Sequence, residues 1–279
     1  MEEGDGGTAA MYSTILVEGG AMARITLNRP DKRNPIGPVT VGELVHALAA
    51  LKADKDVRVI VLAGAGPVFS AGGDLSAMPV AKIAGPTGPT GSANPAVPGG
   101  IPPASLVELF AAMHELGKPT LAMVHGPALA GGLGLVVACD LVIASDAATF
   151  GTTEIAVGLW PMMITAELVR SVGRKRTLEM MLTGRKLDAA EAAACGLVTR
   201  VVPAAALEDE VNKLAGELAA RSPAAISMGL KAFYRAQDME FEPQLRYLQA
   251  ELGRVLALED AAEGITAFLS KRAPVWKGR

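Results

Sequence analysis

The stretch Leu121–Asp140, LAMVHGPALAGGLGLVVACD, limits the possible folds more than any other part of the chain. Its first nineteen residues carry no formal charge, and a membrane-spanning helix needs roughly 20 apolar residues. Length alone would admit a span. The interior Gly126-Pro127 pair argues against one, because proline removes a helical hydrogen-bond donor and the dipeptide marks a turn. A strand, a bend and a helix that begins among the glycines explain the pattern, and no membrane location is expected.

The flanking sequence supports a layered α/β fold. STILVEGGAMARITL gives two β-favouring runs around Gly19 and Gly20, as a hairpin would. From Pro38 to Lys52 the apolar residues Val41, Leu44, Val45, Leu48 and Leu51 fall on one helical face. DVRVIVLAG is too continuously apolar for a strand with one wet face, which places it in a covered sheet. A helix near Ser105–Leu116, the strand TLAMV, a helix in the glycines and the strand LVIAS repeat the alternation. From about Ala204 onward only helical patterns remain.

These boundaries suggest three parts: a disordered tail over 1–10, a core over 11–203, and a helical C-terminal subdomain over 204–279. The Gly/Pro-rich segment 84–103, AGPTGPTGSANPAVPGGIPP, has no periodicity and is expected to be a mobile lid or insertion. The tail MEEGDGGTAA is acidic where a signal peptide would be basic and then apolar, so a cytoplasmic protein is expected. Two cysteines, Cys139 and Cys195, in 279 residues do not make a disulfide framework. A net charge of −3 with interspersed signs offers no basic block for nucleic acid.

Two glycine-rich turns follow hydrophobic strands, GAGPVFSAGGDL and HGPALAGGLG. Glycine lets a ligand approach the main chain, and the second turn opens a helix whose first N–H groups are unpaired and suit an oxyanion. A dinucleotide fingerprint is excluded, since Phe69 stands where its third glycine belongs. There is no G-x-S-x-G or H-E-x-x-H motif and no metal-ligand cluster. His46 and His114 are expected on helix surfaces or edges, and His125 in its turn.

FSAGGDL, VHGPALAGGLGLVVACDLVIAS and FGTTEIAVGLWP, in that order and spacing, resemble the enoyl-CoA hydratase/isomerase, or crotonase, family. The resemblance runs from about Tyr12 to the C-terminus, through LTGRKLDAAEAAACGLVTRVVP and AFLSKR. It implies a spiral of ββα units with a helical C-terminal oligomerisation region, assembled as a homotrimer or hexamer. It also implies an acyl-CoA thioester substrate with no separate cofactor. By motif position, Gly73 and Gly131 correspond to the oxyanion-hole donors and Glu154 to the catalytic acid/base. Removing a proton beside a thioester, or adding a nucleophile across its conjugated double bond, drives charge onto the carbonyl oxygen. One fixed donor there is worth about 10² to 10³ in rate.

The chain departs from the hydratase pattern at Gly134, where those enzymes carry a first glutamate. Hydration commonly divides its proton transfers between two carboxylates, whereas moving a double bond between C3 and C2 needs one. Isomerases of the family resemble this chain in keeping only the later glutamate. The expected reaction is hydration of 2-enoyl-CoA, with double-bond isomerisation through Glu154, or CoA-thioester binding without catalysis, as alternatives. A second departure is GLWPMMITAEL, where Trp160, Met162 and Met163 either line the acyl pocket or pack. For CoA, the resemblance points to Lys32 and Arg33, to Ala71, Asp74 and Leu75 beside the first donor, and to Phe268 and Lys271 reaching a neighbouring subunit's ligand.

Overall fold

Val-, Ile- and Leu-rich runs ended by glycine turns build the central layer. The structure is a computed structural model and describes residues 11–74 and 97–279. The tail 1–10 and Leu75 lie outside the described residues. β1 (Ile15–Glu18) and β2 (Met22–Leu27) form the antiparallel hairpin expected around Gly19-Gly20. β2 continues in parallel to β4 (Val59–Gly64), β6 (Thr120–Val124), β8 (Leu141–Ser145) and β11 (Arg200–Val202). Short strands stack beside this sheet. β3 (Pro35–Ile36) pairs with β5 (Gly72–Gly73), while β7 (Ala128–Leu129), β9 (Thr149–Gly151) and β10 (Lys186–Asp188) form a three-stranded group.

Each turn of the spiral runs from a sheet strand to a short strand and then to a helix. β2 and β3 lead to α1 (Pro38–Ala53), β4 and β5 precede α2 (Leu106–His114), and β6 and β7 lead to α3 (Gly131–Val137). After β8 and β9 come α4 (Met162–Thr183), α5 (Ala189–Ala194) and α6 (Leu207–Ala219). The chain ends in α7 (Pro223–Ala236), α8 (Phe241–Leu256) and α9 (Glu259–Leu269). α2 starts on a capping box, in which the Ser105 side chain accepts from Glu108 N and the Glu108 carboxylate accepts from Ser105 N.

The continuous apolar run in β4 is explained by burial on both faces. Ile60 and Leu62 join Leu44, Leu48, Leu109 and Leu135 in one core, whereas Val59 and Val61 meet Leu207, Val211 and Leu214 in a second. Each such aliphatic side chain contributes about 1.5–3 kcal/mol on burial. α6 is thus the outer cover of the main sheet, and the helix-only stretch after Ala204 begins with an element of the sheet core.

Two local expectations gain detail. Residues 84–96 of the Gly/Pro-rich segment lie outside the described residues, but its end is packed: Val97 and Ile101 are buried. A Cβ on Gly42 of α1 would lie 2.9 Å from Val97 Cγ2, so that glycine leaves the room Val97 fills. His46 and His114 sit partly exposed on α1 and α2, as expected, and both have partners. His46 Nδ1 lies 3.0 Å from Tyr12 Oη. His114 lies 3.2 Å from the Glu167 carboxylate and stacks on Tyr234, whose hydroxyl donates to Asp140 at 2.6 Å. Both thiols are free, and burial pushes the Cys139 thiol far up, leaving it inert.

Candidate active site

The two glycine turns meet. A Cβ built on Gly131 would stand 3.6 Å from Gly73 N, 3.8 Å from Gly72 C and 3.6 Å from Ile36 Cβ. β5 brings Gly73 there by pairing with Ile36 of β3, and β7 delivers the chain into Ala130 and Gly131. Gly131 is the first residue of α3, so its N–H is one of those without a partner inside the helix.

The approach is strained at one residue. Ala130 has φ 48° and ψ −127°, a region an L-residue occupies at a cost of about 1–3 kcal/mol. It is held by a hydrogen bond from its N–H to Gly151 O at 2.8 Å. Gly72, at φ +110°, leaves the space, since a Cβ there would lie 2.5 Å from Ala130 Cβ. Strain at this point re-aims the chain so that α3 begins beside Gly73.

Glu154 enters from β9. The Gly151 carbonyl that accepts from Ala130 is three residues before it, so Glu154 starts within about 11 Å of chain reach from Gly151. It opens the 3-10 turn Glu154–Val157 and is half-buried. Its Oε2 and the Thr152 Oγ1 are buried without a hydrogen-bond partner. Burial lifts the Glu154 carboxyl above its ordinary range, against a smaller opposing hydrogen bond from its own N–H. A carboxyl with one unpartnered oxygen and a raised pKa suits proton transfer.

Gly134 sits one helical turn beyond Gly131 and is buried. A Cβ there would lie 3.1 Å from Ile164 Cγ1 and 3.3 Å from Phe110 Cζ. Space that a longer side chain would need is already hydrocarbon. Neither Phe110 nor Ile164 stands out in the sequence, since their meeting depends on how α2 and α4 pack around α3.

The remaining expected residues divide. Lys32 and Arg33 are exposed on the 3-10 turn Pro30–Lys32 and its left-handed cap, and Arg33 O accepts from Ala71 N at 2.9 Å. Ala71 is therefore tied to the Lys32–Arg33 loop next to Gly72 and Gly73. The Asp74 carboxylate pairs with Arg29 at 3.2 Å. Trp160 packs half-buried against the core, whereas Met162 is 71% exposed. Phe268 and Lys271 are exposed at the end of α9, away from these loops in sequence and fold.

Asn34 organises both loops and was not singled out in the sequence. Its side chain accepts from Arg29 N and donates to the carbonyls of Ala65, Val68 and Phe69 at 2.8–3.1 Å. The Ser70 hydroxyl donates to Asn34 O at 2.7 Å. His125 Nε2, 2.8 Å from Gly66 O, ties the second glycine turn to the first. Asn34, with φ 53° in the left-handed region, is the one signal NRPDKRN offered, because asparagine tolerates that conformation. Among the described residues no three His, Cys, Asp or Glu side chains are placed to hold a metal ion, and no helix is long and apolar enough to cross a membrane.

A family model described as Enoyl-CoA hydratase/isomerase matches residues 18–279. The chain belongs to that family. An enoyl-CoA hydratase from Mycobacterium smegmatis superposes with a TM-score of 0.83 at 32% identity, covering 95% of this chain and 99% of that one. A 2,3-dehydroadipyl-CoA hydratase from Escherichia coli K12 is 33% identical over 256 residues, 91% of this chain and 94% of the relative. The human mitochondrial enoyl-CoA hydratase domain-containing protein 3 is 35% identical over 252 residues, 90% of this chain and 79% of the relative. The ββα spiral is thus the enoyl-CoA hydratase/isomerase fold, and the chain is an enzyme of that family, a lyase or an isomerase.

Proposed function

We propose that this enzyme binds an enoyl-CoA thioester, that the main-chain N–H groups of Gly73 and Gly131 hold its carbonyl oxygen, and that Glu154 moves the proton. The observation that carries this is the meeting of two glycine turns at Gly73 N and Gly131, with Glu154, a half-buried carboxyl with one unpartnered oxygen, three residues after the Gly151 carbonyl that holds Ala130. Donors fixed in the main chain stabilise charge that develops on the thioester oxygen without reorganising. Glu154 with its raised pKa accepts or returns a proton at carbon. CoA enters as part of the substrate, and no other cofactor is assigned. Lys32, Arg33, Ala71, Asp74 and Leu75 are assigned to the CoA side, Trp160 and Met162 to the acyl side.

Relatives carry hydratase names, 2,3-dehydroadipyl-CoA hydratase among them, and on that support we assign hydration of a 2-enoyl-CoA to this chain. Gly134 favours a second reading. With Ile164 and Phe110 filling the space beside it, the second carboxylate is missing and its place is apolar. Such a site suits double-bond migration, in which Glu154 alone shuttles the proton between C4 and C2 of a dienolate. Exposed Phe241, Leu245, Leu252 and Leu256 on α8, with Phe268 and Leu269, support packing of α8 and α9 against further copies as a homotrimer or hexamer. Phe268 and Lys271 would then reach a neighbour's CoA.

The test is to supply 2-enoyl-CoA and 3-enoyl-CoA separately and identify products. A 3-hydroxyacyl-CoA from the first supports hydration; 2-enoyl-CoA from the second without hydroxylated product supports the one-carboxylate reading. Turnover of neither overturns the assignment.

A further inference from the structure

At the other end of the main sheet lies a cleft of about 810 Å³ that the acyl-CoA chemistry does not use. Its walls are the end of α1, the segments leading into β4 and β6, the start of α7 and the chain's last residues. Val57 and Arg58 precede β4 and Pro119 precedes β6, while the glycine turns follow the opposite ends of those strands. A six-residue strand such as β4 puts about 20 Å between the two.

The cleft concentrates positive charge in a chain whose net charge is −3. Lys52, Lys55, Arg58, Lys118, Arg221 and Lys231 line it, with Asp54 as the acidic side chain in the lining. Two of these cations build the wall. Lys118 Nζ donates to Leu51 O at 2.6 Å and to Asp54 O, and Arg58 donates to Arg221 O at 2.5 Å. Lys277 and Arg279, also in the wall, each pair with Glu259 at 3.0 Å. Lys52, Lys55, Arg221 and Lys231 have no carboxylate partner among the described residues. Burial pulls the Lys118 ammonium below the ordinary lysine range, with Asp54 opposing and the like charge of Arg58 adding to the shift. Like charges lining one cleft favour a counter-ion there.

We propose that this cleft is a second binding site, for a small anion carrying two or more phosphate groups. Unpaired lysine and arginine side chains lining one half-open cleft suit several phosphate oxygens at once, and the volume lies within the usual range for small-molecule sites of about 300–1,000 Å³. A flat basic face would suit an extended polymer instead. The site stands apart from the thioester assignment and does not depend on it.

Inorganic pyrophosphate is the probe, titrated calorimetrically into the full chain at low ionic strength with and without saturating CoA. Saturable binding that survives CoA is expected, weakening with added salt. The pair Lys55→Glu and Lys231→Glu, both exposed and unpaired, is expected to weaken it about tenfold or more with an unchanged melting temperature. Absence of binding, loss of all binding when CoA is added, or equal affinity in the folded double variant would overturn the proposal.

Discussion

Replacing Gly134 by Glu restores the residue that hydratases of this family carry, and the structure predicts that the single change fails. Its Cβ alone would stand 3.1 Å from Ile164 Cγ1 and 3.3 Å from Phe110 Cζ, inside the ordinary carbon contact of about 3.5–4.0 Å. Ile164 and Phe110 are both buried, so neither yields by swinging into water. Overpacking of this kind costs about 1–3 kcal/mol, and a carboxyl buried without a partner adds to it. Taking about 3 kcal/mol and roughly 2–4 °C per kcal/mol for a chain of this size, the melting temperature should fall by about 6–12 °C. Hydration should not rise, since the carboxyl is held neutral against hydrocarbon.

Ile164→Ala alone is expected to cost about 2–5 kcal/mol through its cavity. Combined with Gly134→Glu it makes the missing room. The double variant should therefore lose less than the sum of the singles, with a coupling of about 1 kcal/mol or more. Thermal unfolding followed by circular dichroism gives the coupling, and product ratios from 2-enoyl- and 3-enoyl-CoA give the chemistry. A Gly134→Glu single variant that melts within about 1 °C of wild type and gains hydration would show that the space beside Gly134 is not filled as described.

Other expectations follow from single residues. Glu43 is fully buried and accepts four hydrogen bonds from the main chains and hydroxyls of Ser13 and Thr14, at 2.6–2.8 Å. Burial pushes its carboxyl up, but those bonds outweigh it and leave the pKa below the ordinary 4.5. Its contribution is thus present above pH 4.5 and lost as pH falls through the lower folded value. Glu43→Gln should cost about 2–3 kcal/mol at neutral pH in a urea titration, and a loss below about 0.5 kcal/mol would contradict this role. Gly72→Ala meets both a φ of +110° and the Ala130 methyl; about 3 kcal/mol of stability and most activity should go together. The acid limb of kcat/KM should lie above pH 4.5, because the raised Glu154 must be ionised to act as base; a limb at or below that pH would refute the assignment.

Much of this architecture can be read in the sequence because it is local. The apolar runs of β4 and β6, the face of α1 and the hairpin at Gly19-Gly20 are carried by neighbouring residues. What escapes is set by long-range packing. β3, β5 and β7 are two residues each, too short for any periodicity, yet they position Gly73 and Gly131. Glu43 lies beside the apolar face of α1, and only the return of Ser13 and Thr14 explains a carboxylate there. Asn34 binds carbonyls 31 to 35 residues away. Gly134 could be recognised as a departure, but its apolar neighbours could not, since they come from two other helices.

The central claim is that Glu154 moves the proton while Gly73 and Gly131 hold the oxygen. Glu154→Gln tests it most directly, with turnover of whichever enoyl-CoA the wild type accepts and CoA-thioester affinity measured together. Ionising a group whose folded pKa is raised costs stability as pH rises past 4.5, so the variant should melt no lower than wild type at neutral pH. Binding should persist and kcat should fall by about 10² to 10⁴. A folded Glu154→Gln enzyme that binds the thioester and turns it over at the wild-type rate would contradict the account.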